Sequence, residues 1–388
     1  MKKYNFDEVI DRKNTYSTQW DYIEDRFGRN DILPFSISDT DFKVPDSVQS
    51  ALRERIDHPI YGYSRWNHND YKNSIINWFE KSNSVTIKSD WIVYSPSVVF
   101  SIATFIRMNS QPGQVIATFT PMYDAFYKTV ESNQRILVPI RLGSAQENYQ
   151  IDWDSLDTIL SQENTRIFIL TNPHNPTGKV FTKLELKRLA VMCKENNVFL
   201  ISDDIHKDIV YPNFKYVPIT EVTTDNVVLC CSSSKTFNTP GLIGSYILIP
   251  DPDLRKKFLI ELKEKNALSS VSILGMYAQM AAYGDDGANY VTQLVNYLNG
   301  NMDIVKKFLD QNLPEFNFVK PSATYLAWID VTHVNMTMEV MQDRLVNIGK
   351  VGIMPGTVYG DSNYLRMNVA CPREKLKEGL KRLKSSFN

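Results

Sequence analysis

Lys235 stands in the run Ser232-Ser233-Ser234-Lys235-Thr236, just beyond the apolar residues 227–231. A lysine past a buried strand and beside several hydroxyls is either a solvated turn residue or a Schiff-base amine whose neighbouring serines hold a phosphate. Asp203, in Ser202-Asp203-Asp204-Ile205-His206, closes a second apolar run. A carboxylate at the C-terminal end of a parallel strand lies where α/β sheets bind ligands. It acts there as a turn cap, or as the anion that keeps a pyridine nitrogen protonated. The third segment, Asn172-Pro173-His174-Asn175-Pro176-Thr177-Gly178, again follows a strand-like run. It reads as a stiff turn, or as a proline-fixed loop in which Asn175 donates to a ligand oxygen. The fourth, Ser95-Pro96-Ser97-Val98-Val99, precedes a helical pattern. Its serines cap that helix, or its free N–H groups hold an anion.

These groups need elements to position them. Short β-branched runs at 91–94, 115–118, 135–140, 166–171, 198–202, 227–230 and 245–249 alternate with helical patterns such as 183–196. The runs are almost wholly apolar, as expected of strands covered on both faces, and the alternation predicts an open α/β sheet. After a long helical stretch at 289–308, the order becomes strand 316–319, strand 324–330, helix 337–348 and strand 364–368, which predicts a smaller α+β unit. No Gly/Ser-rich linker separates the two, and the boundary falls near Gly284–Gly287. The first forty residues show no usable period.

Composition removes several function classes. The 388 residues are 43% hydrophobic and 22% charged, which is globular rather than disordered. The formal net charge of −1 gives no global basic excess for nucleic acid or an anionic membrane. No stretch approaches about 18 apolar residues, and the start MKKYNFDEVIDRK has no apolar leader, so a cytoplasmic protein is expected. Cys193, Cys230, Cys231 and Cys371 show no CxxC spacing and read as reduced thiols. No metal-binding motif is present, and no metal is expected. His58, His68, Lys207, Asp208 and His333 read as solvated or capping residues.

Taken in order, the four segments resemble the fold-type I family of pyridoxal 5′-phosphate (PLP) enzymes, the aspartate aminotransferase superfamily. Residues 18–22, 37–42, 62–66, 124–128 and 325–328 narrow the likeness to its MalY/PatB-like cystathionine β-lyase (C–S β-lyase) subgroup. The resemblance covers essentially the whole chain. It implies a fold-type I PLP-dependent transferase fold of class α/β. A large domain (48–287) would carry a mostly parallel, mixed seven-stranded sheet, and a small α+β domain would join 1–47 to 288–388.

The resemblance also implies roles. Lys235 would bind PLP and later take the substrate α-proton. Asp203 would pair with the pyridine nitrogen, Asn175 would bond the 3′-oxygen, and Tyr123 would stack on the ring. Arg366 would grip the substrate α-carboxylate. Ser232, Ser234 and the helix start at Val98 and Val99 would hold the phosphate. Tyr63 would reach it from the second subunit of a homodimer. Two departures from the wider aminotransferase pattern recur in the lyase subgroup. Ile243 stands where many aminotransferases carry an arginine, and His206 where they carry a tyrosine; His206 either bonds the 3′-oxygen or fills space. The implied reaction is α,β-elimination of L-cystathionine or another L-cysteine S-conjugate to a thiol, pyruvate and ammonia. An aminotransferase of the same fold is the alternative, as is a lyase with an added regulatory binding role. A nicotinamide-binding protein is disfavoured because no GxGxxG follows an early strand.

Overall fold

The computed structural model describes residues 2–268 and 270–387. Its centre is a seven-stranded sheet made of β1 (Ile92–Ser95), β2 (Val115–Thr120), β3 (Ile136–Arg141), β4 (Thr165–Thr171), β5 (Phe199–Asp203), β6 (Val227–Cys231) and β7 (Ser245–Leu248). The spatial order is β1-β7-β6-β5-β4-β2-β3, and β7 alone runs opposite to the other six. The strands therefore fall within a residue or two of where their apolar runs place them. β5 and β6 are buried at every position, as continuous apolar runs require when helices cover both faces. β3 departs from this pattern. It is the edge strand, and most of its residues are exposed or half-buried.

Helix Val98–Asn109 is apolar on nearly all sides, which suits a helix enclosed by protein, and it packs on β4, β5 and β6. Ser97 caps it by accepting from the Phe100 N–H at 3.1 Å. The cap fixes where the helix begins, just past the end of β1.

A second, antiparallel sheet follows: β8 (Leu326–Asp330), β9 (Met354–Pro355) and β10 (Tyr364–Asn368), in the order β9-β10-β8. The strand expected at 316–319 reduces to a single bridge between Asn317 and Asp330. Pro314 and Pro321 flank it, and proline supplies no ladder donor. The chain's first forty residues bond to this part of the fold, partly through a separate two-stranded sheet. Leu33–Pro34 pairs in parallel with Val351–Gly352, and Asn368 N–H donates to Phe35 O at 2.9 Å. The Asn368 side chain holds the Ile37 and Asp39 carbonyls at 2.5 and 2.6 Å. A segment without sequence period is thus ordered by hydrogen bonds from residues over three hundred positions away.

Between the two sheets the chain turns a corner at Gly284, where helix Ile273–Ala282 gives way to the long helix Asp285–Asn312. That helix starts four residues before its apolar period does. A Cβ at Gly287 would lie 1.7 Å from Ala282 O, so only glycine allows the two helices to meet this closely.

Candidate active site

The C-terminal ends of β4, β5 and β6 and the start of helix Val98–Asn109 converge on a cavity of about 400 Å³. This is where a parallel sheet presents its free strand ends. Val98, Val99, Tyr123, Asn175, Asp203, His206, Ser232, Ser234 and Lys235 all line it. Arg366 stands one hydrogen bond behind the wall: its Nη1 donates to Asn175 Oδ1 at 3.2 Å. Tyr63 is not at the cavity. It is 99% exposed, on the stretch that follows helix Asp46–Asp57.

Lys235 sits in a single helical turn, Ser234–Phe237, immediately past β6. Its Nζ donates to Ser38 O at 2.7 Å, and Tyr325 Oη donates to the same carbonyl at 3.0 Å. Burial lowers the Lys235 pKa to about 8, with Asp39 and Asp203 pulling it up and Arg366 pushing it down. Asp203, the last residue of β5, is raised to about 7 by burial; the Ile205 N–H, 3.2 Å away, and the Lys235 charge work in the opposite direction. Its carboxylate favours ionisation only once a cation comes to it.

His206 is buried, and burial lowers its pKa to about 3, so the imidazole is neutral. Its Nδ1 has no protein partner, and its ring meets the Tyr325 ring edge-on at 6.0 Å. Arg366 comes from the middle of β10, where its neighbours in the strand are apolar. Nη2 donates to Ser36 O at 2.9 Å, the guanidinium lies 4.3 Å from the centre of the Tyr359 ring, and Nε has no partner. With Asn175 Oδ1 taken by Arg366, Nδ2 is the group Asn175 can offer. Gly178 fixes the loop that carries Asn175. It has φ +69°, and a Cβ there would lie 2.4 Å from Pro321 Cβ.

The two serines differ in what they can give. Ser232 Oγ donates to Gly244 O at 2.7 Å and accepts from the Ser234 N–H, so its one hydrogen is committed. Ser234 Oγ lies 3.0 Å from Ser232 Oγ and remains the hydroxyl able to donate. Nearby, Val98 and Val99 N–H lie in the first helical turn, where no intrahelical acceptor exists. Ile243 lines the same end of the cavity at φ +51°, a conformation that β-branched residues rarely adopt.

Sequence reasoning missed several participants. Ser36 and Ser38 act through backbone carbonyls, which carry no side-chain signal. The reading of Lys207 and Asp208 as solvated or capping residues does not hold. Both side chains are buried, 0% and 1% exposed, as an ion pair 2.5 Å apart. Trp78, Phe79 and Tyr283 enclose them, brought from distant parts of the chain. His68 does cap its helix, accepting from the Tyr71 N–H.

The aminotransferase class I and II family model matches residues 30–383. The chain belongs to that family. Protein MalY of Escherichia coli (strain K12) is 38% identical over 379 residues, covering 97% of each chain. Cystathionine beta-lyase PatB of Bacillus subtilis (strain 168) is 34% identical over 389 residues, covering 99% of this chain and 100% of PatB. The structure of a PLP-bound C-S lyase from Staphylococcus hominis matches with a TM-score of 0.92 and 29% identity, over 99% of this chain and 98% of that one. The architecture is accordingly the fold-type I PLP transferase fold.

The family is PLP-dependent, and the residues present fit that cofactor. The cavity offers an amine of lowered pKa, a buried carboxylate without a cationic partner in contact, and an imidazole Nδ1 with no partner. It adds the Tyr123 ring, and at one end a hydroxyl beside free helix N–H groups. Those are the groups needed to hold an aldehyde, a pyridine nitrogen, a ring oxygen, an aromatic face and a phosphate.

Proposed function

We propose that the chain is a PLP-dependent C–S β-lyase that performs α,β-elimination on L-cysteine S-conjugates such as L-cystathionine, releasing a thiol, pyruvate and ammonia. The observation that carries this is the convergence of Lys235, Asp203 and Asn175 on one cavity, with Arg366 bonded to Asn175. The names of PatB and the Staphylococcus hominis enzyme supply the bond that is broken.

When bound, PLP supplies an electron sink for the charge left at Cα. Lys235 Nζ would hold the cofactor until the substrate amine displaces it, and the freed amine would then take the Cα proton; burial lowers the amine's pKa to about 8, which leaves part of it neutral for capturing an aldehyde near neutral pH. Asp203 provides the anion that keeps the ring nitrogen protonated. Asn175 Nδ2 would donate to the ring oxygen, and the neutral His206 would bond the same oxygen or fill the space. Tyr123 packs on the ring face. Ser234, with Ser232 orienting it, and the Val98 and Val99 N–H groups hold the phosphate. Arg366 Nε and Nη bind the α-carboxylate, and their burial strengthens that pairing.

The site is completed by a homodimer in this reading. Ile56, Ile60, Tyr61 and Tyr63 form an exposed apolar run, and Ile243 at the cavity is 57% exposed. A second copy placing Tyr63 against the phosphate would cover both. Four buried free cysteines support a reducing, cytoplasmic setting. The N-terminal segment's bonds to the second sheet support the division into 48–287 and 1–47 with 288–388.

The test is purified protein with PLP and L-cystathionine and no added keto acid. Pyruvate and thiol are expected in equal amounts. Turnover that requires a keto acid and releases no thiol overturns the reading in favour of transamination.

A further inference from the structure

Lys207 and Asp208 form a buried ion pair directly behind the turn that bears Lys235. Asp208 Oδ1 accepts from Lys207 Nζ at 2.5 Å and from Trp78 Nε1 at 2.9 Å. Its Oδ2 accepts from Thr236 Oγ1 at 3.1 Å. The ammonium of Lys207 is enclosed by ring faces, with the Phe79, Tyr283 and Trp78 centres at 4.7, 5.7 and 5.8 Å. A buried ion pair gives little net stability over an apolar replacement of the same volume, so what it offers here is direction. Both carboxylate oxygens are engaged, and they point to different elements: one to helix Asn69–Asn83, the other to the lysine turn.

That turn has only four residues and cannot hold itself. Lys235 faces the cavity, while Thr236, the next residue, faces the ion pair. On the far side, Asn238 donates to the Thr40 and Phe42 carbonyls at 2.9 and 3.0 Å. The turn is thus held on one side through Asn238 and on the other through Thr236, beside the bonds that tie its first residue, Ser234, to Ser232. We propose that Lys207 and Asp208 are positioning residues for Lys235: the pair holds Thr236 Oγ1, and through it the direction of the Lys235 side chain. This rests on Lys235 being the reactive lysine.

Of the three donors to the Asp208 carboxylate, the two uncharged ones make the test. In the holoenzyme acting on L-cystathionine, Thr236→Val keeps the shape and loses the clamp; kcat is expected to fall about ten- to a hundredfold while KM changes by less than about threefold. Thr236→Ser returns the hydroxyl and is expected to restore kcat. Trp78→Phe removes the other donor and is expected to lower the melting temperature with kcat retained.

A readout independent of turnover is the pH midpoint for acylation of Lys235 in cofactor-stripped protein, followed by peptide mass spectrometry. A loosened turn lets Nζ reach water, so the midpoint rises in Thr236→Val but not in Trp78→Phe. Asp39, Asp203, His206 and Arg366, the groups around Nζ, are unaltered in both variants. Should Thr236→Val fail to accumulate, Thr236→Ala, which also lacks a donor, is read the same way. Retained kcat in the Thr236 variant, or a loss that follows the melting temperature and is not restored by Ser, overturns the positioning role. Borohydride reduction of the wild type separates the two levels. PLP fixed elsewhere than Lys235 overturns the functional reading itself; PLP fixed on Lys235 with an unchanged Thr236 variant overturns only the clamp.

Discussion

Asp203 and Asp204 are adjacent and both buried, yet only Asp203 lines the cavity that holds Lys235; Asp204 accepts instead from Ser202 and Tyr216. Burial raises both carboxyls to about 7, so acidity alone does not distinguish them. Partners do. Asp203→Asn is expected to lower kcat at least about a hundredfold, the scale of losing one preorganised charge, with the protein still folded and still coloured by PLP. Asp204→Asn is expected to leave kcat within about threefold and to cost about 1–3 kcal/mol of stability. Steady-state kinetics beside denaturant unfolding of both variants checks this; equal kcat losses would contradict it.

The lowered pKa of Lys235 sets a pH dependence. Only the neutral amine attacks an aldehyde, so PLP capture by stripped protein should quicken about tenfold per pH unit up to pH near 8 and then level off. An ordinary lysine would keep accelerating toward its usual 10.5. Stopped-flow absorbance during PLP addition distinguishes the two profiles.

Arg366 is held by Asn175 Oδ1, by Ser36 O and by the Tyr359 ring, a fit for a planar guanidinium. Arg366→Lys keeps the charge but cannot offer two parallel N–H bonds. KM for an S-conjugate should rise about ten- to a hundredfold, corresponding to roughly 1.5–3 kcal/mol, with a smaller change in kcat. An unchanged KM would place the carboxylate contact elsewhere.

Tyr63 makes no contact with its own cavity, so Tyr63→Phe should weaken PLP binding only through the partner subunit, by about ten- to a hundredfold. Mixing Tyr63→Phe with Lys235→Ala subunits should give heterodimers with one site doubly altered and one intact. At limiting PLP, activity should exceed that of either parent. No recovery despite demonstrated subunit exchange would exclude a contact across the interface.

What could be read from the sequence depended on range. β5 and β6 were legible because strands buried on both faces need continuous apolar runs, and Asp203 and Lys235 because they close those runs. Residues 33–39 were not, since their order comes from Val351, Gly352 and Asn368. The burial of Lys207 and Asp208 was also hidden. Neighbouring opposite charges look solvated until Trp78 and Tyr283 close over them. Ser232 shows a subtler limit: its type suits a phosphate donor, but Gly244 O already uses its proton.

The chain's four cysteines are all inside the protein. Burial pushes Cys231 and Cys371 up to about 12 and raises Cys193 and Cys230 as well, so none offers a thiolate near neutral pH. Exchange with a disulfide needs a thiolate that can be reached. The proposed reaction releases a thiol at every turnover, and such products accumulate as symmetrical disulfides wherever oxygen is present. A catalyst with no accessible thiol cannot be capped by its own oxidised product as a mixed disulfide. Its working life in that chemistry is then set by the folded interior staying closed, rather than by a reductant kept in supply.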